Sequence, residues 1–145
     1  MTLKEIQDAL TDALNADDML RQGGCAAASE DSLGLLAAIN KQLMQRKGVA
    51  MVVGTPSAAG MGAAPPGLPI PVVVDELAVT CMEIPSINRT RPGAMTALQA
   101  AERAAWLLRA PDTVFLTIRQ SSDEASGVLS ATATFRAGRT LTQPA

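Results

Sequence analysis

Apolar positions recur at helical spacing from the start of the chain. Thr2 and Glu5 are placed to cap one another, as a Thr-x-x-Glu box does. Leu3, Ile6, Leu10 and Leu14 then line one side, with Lys4, Gln7, Asp8 and Asp12 on the other. The pattern predicts an amphipathic helix of about 12–18 residues, fading at Asn15–Asp18 or after Arg21 and ended by Gly23-Gly24. A second helix is expected behind Asp31 or Ser32 as its cap. Its apolar stripe is Leu35, Leu36, Ile39, Leu43 and Met44, with Arg46 and Lys47 at the negative end of the dipole. Gly48 fits the residue just past that end, where a positive φ favours glycine. Val49 to Val53 is an uninterrupted apolar run, read as a short strand buried on both faces.

The pattern breaks between Gly54 and Pro71, where nine of eighteen residues are glycine or proline. That density leaves no room for a helix or a central strand, because proline cannot donate a ladder bond. The segment also carries no charge, unlike a solvated linker, so it reads as an arm that orders against a partner or as a plain loop. Val72 to Ile84 follows as one long strand, or two with a bend near Asp75-Glu76, and Pro85 stops it. The turn pair Pro92-Gly93 launches an alanine-rich helix from Ala94 to Arg109. Its seam is Leu98, Ala101, Ala105 and Leu108, and Trp106 lies off that seam where a second surface could use it.

Val114, Leu116 and Ile118 alternate with Phe115, Thr117 and Arg119 in a half-buried strand. Ser121 to Gly127 is turn material. Leu129, Ala131, Ala133 and Phe135 form the returning arm of a hairpin, and a polar tail runs from Ala137. Helices and strands do not strictly alternate. The expected fold is therefore α+β in one domain spanning residues 1–145: a mainly antiparallel sheet, helices packed on one face, and a Gly/Pro-rich extended loop or arm at 54–71.

Composition narrows the chemistry. The 145 residues include no histidine, which removes the usual general base and the commonest metal ligand. Aromatics are Trp106, Phe115 and Phe135 alone, so the core must be aliphatic. A net charge of −2 gives no basic footprint for nucleic acid, and Asn88-Arg89-Thr90-Arg91 is too short to track a phosphate backbone. Met-Thr-Leu-Lys-Glu-Ile lacks the layout of a signal peptide, and no apolar run approaches 18 residues, so no membrane partner is expected. Cys25 and Cys81 read as small buried thiols of a chain made in a reducing cytoplasm.

Candidate sites are sparse. The Gly54–Gly62 stretch lacks the Lys and the following helix of a phosphate loop. Asp75, Glu76 and Glu83 could be a carboxylate set, but Asp75 and Glu83 would lie roughly 27 Å apart along one strand, so they read as solvated or edge-protecting charges. Lys4, Lys41 and Lys47 sit in solvated helical patterns, and Asp123-Glu124 reads as a solvated turn. No cofactor and no metal site is expected. The segment Glu83 to Arg89 is a shaped corner with two readings. It is either a turn whose Asn88 bonds its own loop, or a contact corner where Arg89 and Arg91 reach a carboxylate on a neighbouring subunit.

Met82-Glu83-Ile84-Pro85-Ser86-Ile87-Asn88-Arg89, then Gly93, the helix from Ala94 to Leu108 and a closing hairpin, resemble the small tail-completion or tail-terminator proteins of tailed bacteriophages. The likeness covers about half the chain on a short motif. It implies a non-enzymatic α+β subunit that assembles as a homohexameric ring. That ring caps the head-proximal end of the tail tube in the virion, contacts the tube protein and the head–tail connector or stopper, and is built in the host cytoplasm. The second helix and the arm at 54–71 depart from the family pattern. Two other classes stay open: another neck protein such as an adaptor or stopper, and a small carboxylate-dependent enzyme or ligand-binding domain using Asp75, Glu76 or Glu83. A ring built through a sheet edge and an arm would place Met61, Leu68, Ile70, Asn88, Arg89, Arg91 and Trp106 at subunit or partner contacts.

Overall fold

The computed structural model describes residues 2–60, 70–108 and 113–141. Helix α1 (Leu3–Ala16) starts at Thr2, whose hydroxyl accepts from the Glu5 amide at 3.1 Å. Asp17 turns extended and caps a second short helix, α2 (Asp18–Gln22), through the Leu20 amide. The chain then forms β1 (Cys25–Ser29), α3 (Leu35–Asn40), a π turn (Lys41–Gln45), β2 (Val49–Val53) and β3 (Ser57–Gly60). After β4 (Ile70–Glu83) come the single-turn α4 (Pro85–Asn88), α5 (Ala97–Leu107), β5 (Thr113–Asp123) and β6 (Val128–Leu141).

Among the described residues the strands make one six-stranded sheet in the order β1-β2-β4-β6-β5. β1 and β2 run parallel and every other pairing is antiparallel, so the fold is α+β as the pattern predicts. β4 is the spine. β2 pairs with its second half and β3 with its first half, so the two lie end to end along one side of β4 while β6 takes the other. β4 is one strand, and its ladder to β6 slips between Val74 and Leu77, at the Asp75-Glu76 position where the sequence allows a bend.

Alternation along the strands gives the sheet two unlike faces. Val49, Met51, Val53, Leu77, Val79, Cys81, Ala131, Ala133 and Phe135 point to one side and are buried under α1, α2 and α5. Ile6, Leu14 and Leu20 come from the first two helices, and Ala97, Ala100, Ala101 and Ala104 from α5. The alanine seam lets α5 lie close to the sheet, which compensates for the shortage of aromatics. The opposite face carries Ala26, Ala28, Ala50, Val52, Ala78, Thr80, Met82, Ser130, Thr132 and Thr134, mostly half-buried. Among the described residues α3 and the π turn cover its β1–β2 end: Ala38, Ile39 and Gln42 face Ala26, Ala28 and Ala50 across a cavity of about 250 Å³.

Several expected boundaries move, each for a local reason. Asp31 and Ser32 do not cap α3, because Asp31 pairs with Lys4 and Ser32 Oγ donates to the Ser29 carbonyl. Gly34, with φ +72°, takes the cap position instead. β1 had no alternating pattern to announce it. It forms because Ala26 to Ala28 can lie flat beside β2, and because Asn15 on α1 bonds both the amide and the carbonyl of Ala27 at 2.9 Å. α5 is launched by Thr96, not by Pro92-Gly93: Thr96 and Gln99 form a reciprocal capping box. The buried seam of α5 is accordingly Ala97, Ala100, Ala101 and Ala104, with Leu98 and Ala105 half-buried. β5 runs on to Asp123 and β6 to Leu141, so neither Ser121–Asp123 nor the start of the expected tail is loop.

The glycine- and proline-rich stretch contains β3 and the first residues of β4, so strand pairing survives at both of its ends. Met61 and Leu68 lie outside the described residues, and Ile70 opens β4 opposite Leu141. At the end of the π turn it is Lys47, with φ 56°, that adopts the left-handed conformation expected of Gly48. Gly48 is required for space: a Cβ there would sit 2.2 Å from the Gly24 carbonyl oxygen and 2.7 Å from Gln42 Nε2. Gly48→Ala should lower unfolding stability by about 2–4 kcal/mol in urea titration, through forced backbone displacement. Gly34→Ala meets nothing within 4 Å and should lose only about 1 kcal/mol from its positive φ. Equal midpoints for the two variants would contradict this account.

Candidate assembly surfaces

Glu83 continues the buried alternation of Val79 and Cys81, so its carboxylate enters the covered side of the sheet and is fully buried. A buried carboxylate must find compensating donors. The corner supplies them. Pro85 opens α4, and amides of Ile87 and Asn88 both bond the Ile84 carbonyl, which folds the chain back beneath the strand end. Asn88 Nδ2 then donates to Glu83 Oε2 at 2.6 Å and to the Met95 carbonyl at 2.9 Å. Arg89 places Nε and Nη2 on Glu83 Oε1 at 3.0 and 2.7 Å. Glu83 is therefore neither solvated nor an edge guard, contrary to the reading of the sequence.

Arg91 extends the same network. Its Nη2 donates to Asn88 Oδ1 at 3.0 Å and to the Gly23 carbonyl at 3.1 Å, and its Nε donates to the Lys47 carbonyl at 2.7 Å. The guanidinium occupies the space a side chain at Gly24 would need. Asn88 is buried, and Arg89 finds its carboxylate within the chain, as Arg91 finds its acceptors. The corner thus joins β4, the Gly23-Gly24 turn, the end of the π turn and the approach to α5.

Little chemistry gathers elsewhere. Burial pushes the Cys25 thiol up to about 12 and raises that of Cys81 as well, so both stay protonated at neutral pH. Among the described residues no three His, Cys, Asp or Glu side chains form a metal-binding group, and no helix is long and apolar enough to cross a membrane.

What the surface does offer is apolar. Along α3 and the π turn, Leu35, Ile39 and Leu43 keep to the inner side, while Leu36, Asn40 and Met44 line the outer side. The π turn holds each line in register, because its extra residue per turn offsets the drift of a four-residue repeat. Leu33 and Leu36 are 102% and 77% exposed, and Met44 is 55% exposed. The expected stripe therefore splits in two. Its adjacent pairs, Leu35-Leu36 and Leu43-Met44, were the available signal, since they widen the stripe beyond one line of four-residue spacing.

On the other side of the sheet, Met19, Gly93, Ala94, Met95, Gln99, Glu102 and Arg103 line an open hollow of about 500 Å³ between α2 and α5. Gln99, Glu102, Arg103 and Trp106 follow one another along the outer face of α5, and Trp106 is 57% exposed. The walls are held together by Arg103, whose Nη2 and Nε donate to the two oxygens of Asp17 at 2.8 and 3.2 Å. That bond to Arg103, with the Leu20 amide, holds the Asp17 carboxyl below its usual 3.8.

This whole-chain arrangement has a counterpart among solved structures. No protein-family model matches the sequence, and no curated protein matches it. A chain from the virion of a native gene transfer agent particle superimposes with a TM-score of 0.64 at 18% identity, over 94% of this chain and 95% of that one. At that identity the likeness shows a shared fold.

Glu83→Ala should destabilise the protein by about 3–5 kcal/mol, since Asn88 and Arg89 would lose a buried counterpart, and chemical denaturation would read it. An unchanged midpoint would mean that the corner is not structural. For Asp17, a folded-state value below 3.8 means its contribution is complete above that pH and is lost as pH falls through the lower folded value. Asp17→Asn should therefore lose about 1 kcal/mol at pH 7 and markedly less near pH 3. A penalty equal at both pH values would exclude the ion pair as the cause.

Proposed function

We propose that this chain is a structural subunit of a phage-like virion, and specifically a tail terminator: a ring, most simply a homohexamer, that caps the head-proximal end of the tail tube and docks on the head–tail connector or stopper. The single observation that carries the virion reading is the fold it shares, nearly end to end, with a chain of the gene transfer agent virion. The terminator role is supported by the Met82–Arg89 corner, the alanine-rich helix after it and the closing hairpin, which resemble that family in order and spacing. In this reading the work is done by surfaces, and the segment holding Met61 and Leu68 contributes a contact between neighbours.

An adaptor or stopper would share this composition and would differ in copy number and partner. Light scattering on the purified protein across a concentration series separates the readings. A mass near six subunits is expected, alone or once tail-tube protein is added. Twelve subunits would favour an adaptor. A monomer that ignores tube protein would overturn the terminator reading.

A further inference from the structure

The cavity of about 250 Å³ between the β1–β2 end of the sheet and its helical cover has two kinds of lining. Ala26, Ala28 and Ala50 on the strands face Ala38 and Ile39 on α3, so the interior is apolar. The strands present mostly methyl groups there, and α3 stands over them without filling the gap. Lys41 and Arg46 line the same space, and both are solvent-exposed, which sets their charged ends at its opening. Neither is in an ion pair among the described residues. A second hollow of about 330 Å³ shares Ala26, Gln42 and Arg46 with the first and adds Arg21, itself paired with Asp18. No Asp or Glu lines either space.

The π turn is what brings the two cations together. The Arg46 amide donates to the Lys41 carbonyl at 2.9 Å, a bond across five residues that carries Arg46 round to the side of Lys41. In a regular α-helix, residues five apart point about 140° away from one another. Turns of this kind are rare and often mark functional positions. Gln42 fixes the turn in place. Its Nε2 donates to the Gly24 carbonyl at 2.6 Å, and its own backbone carbonyl accepts from the Gly48 amide at 2.8 Å.

We propose that this cavity is a binding site for a small amphipathic carboxylate, its apolar body against Ala28, Ala38, Ile39 and Ala50 and its carboxylate between Lys41 and Arg46. The apolar body gains by leaving water for the methyl-lined wall. The carboxylate makes charge-assisted bonds to a guanidinium and an ammonium that otherwise meet only solvent. Size limits the ligand: a cavity of about 150 Å³ holds a benzene, so this one takes a phenyl ring or a short acyl chain with its head group. The site belongs to the single chain and stands whether or not the subunit forms a ring.

Hexanoate is the probe. Titrated into ¹⁵N-labelled protein, it should shift the amides of residues 26–28 and 41–46 saturably, with a dissociation constant of about 1 mM. Acetate lacks the apolar body and hexanol the charge, so each should bind at least about tenfold more weakly. Ala38→Leu, at an exposed helical position on the cavity wall, should fill the space and abolish the shifts while the circular dichroism stays that of the parent. Lys41→Gln with Arg46→Gln should weaken hexanoate at least about tenfold, again without change in fold. Hexanol binding as tightly as hexanoate would overturn the role of the cations, and acetate doing so would overturn that of the apolar wall. Shifts that survive Ala38→Leu, or none that saturate by about 20 mM hexanoate, would overturn the site itself.

Discussion

A single buried carboxylate organises one whole end of this molecule. Glu83 is placed on the covered face by the two-residue period of β4, and nothing in that period can turn it outward. Out of water, its carboxyl oxygens need several donors. The chain meets that need by turning sharply at Pro85, so that Asn88 and Arg89 arrive beneath the strand end. Asn88 in turn orients Arg91, and Arg91 bonds the Gly23 and Lys47 carbonyls that lead into β1 and β2. The network thereby ties the Gly23-Gly24 turn before β1 and the end of the π turn before β2 to the Met95 carbonyl just ahead of α5.

The rest of the architecture answers a different constraint, the lack of large side chains. With two phenylalanines and one tryptophan in the chain, and the tryptophan exposed, the core is filled by close approach. Four fully buried alanines bring α5 against Val79, Cys81, Ala131 and Ala133, at a spacing that bulkier residues would prevent. The opposite face is treated unequally. α3 and its π turn cover it at the β1–β2 end, and half-buried threonines and alanines occupy the rest.

Much of this was legible in the chain. Helix α1 and the closing hairpin follow from periodicity, β2 from an uninterrupted apolar run, and the long β4 from a strand-like run ended by Pro85, with its irregularity at Asp75-Glu76. Thr2 announced α1 by its capping chemistry. Thr96 and Gln99 carried the same signal for α5, but Pro92-Gly93 four residues earlier offered a competing start. The corner was legible as a shaped turn, with Asn88 as a loop ligand among its readings. The missing piece was the polarity of Glu83, since a charge on a strand is ordinarily an outward one.

What the amino-acid sequence determined by itself is local: where helices begin, which strand positions alternate, and that no histidine-based chemistry is available. Tertiary structure alone decided the rest, because the deciding partners are distant in the chain. β1 exists only beside β2 and under Asn15, and its five residues carry no pattern of their own. Whether Leu36 and Met44 face a core or water depends on which side of the sheet α3 meets, and a helical stripe does not record that. Glu83 is buried because its strand register puts it there, and it is tolerated because residues five and six positions onward fold back to meet it. Periodicity encodes an element's own geometry; which of its faces is covered depends on the elements it meets.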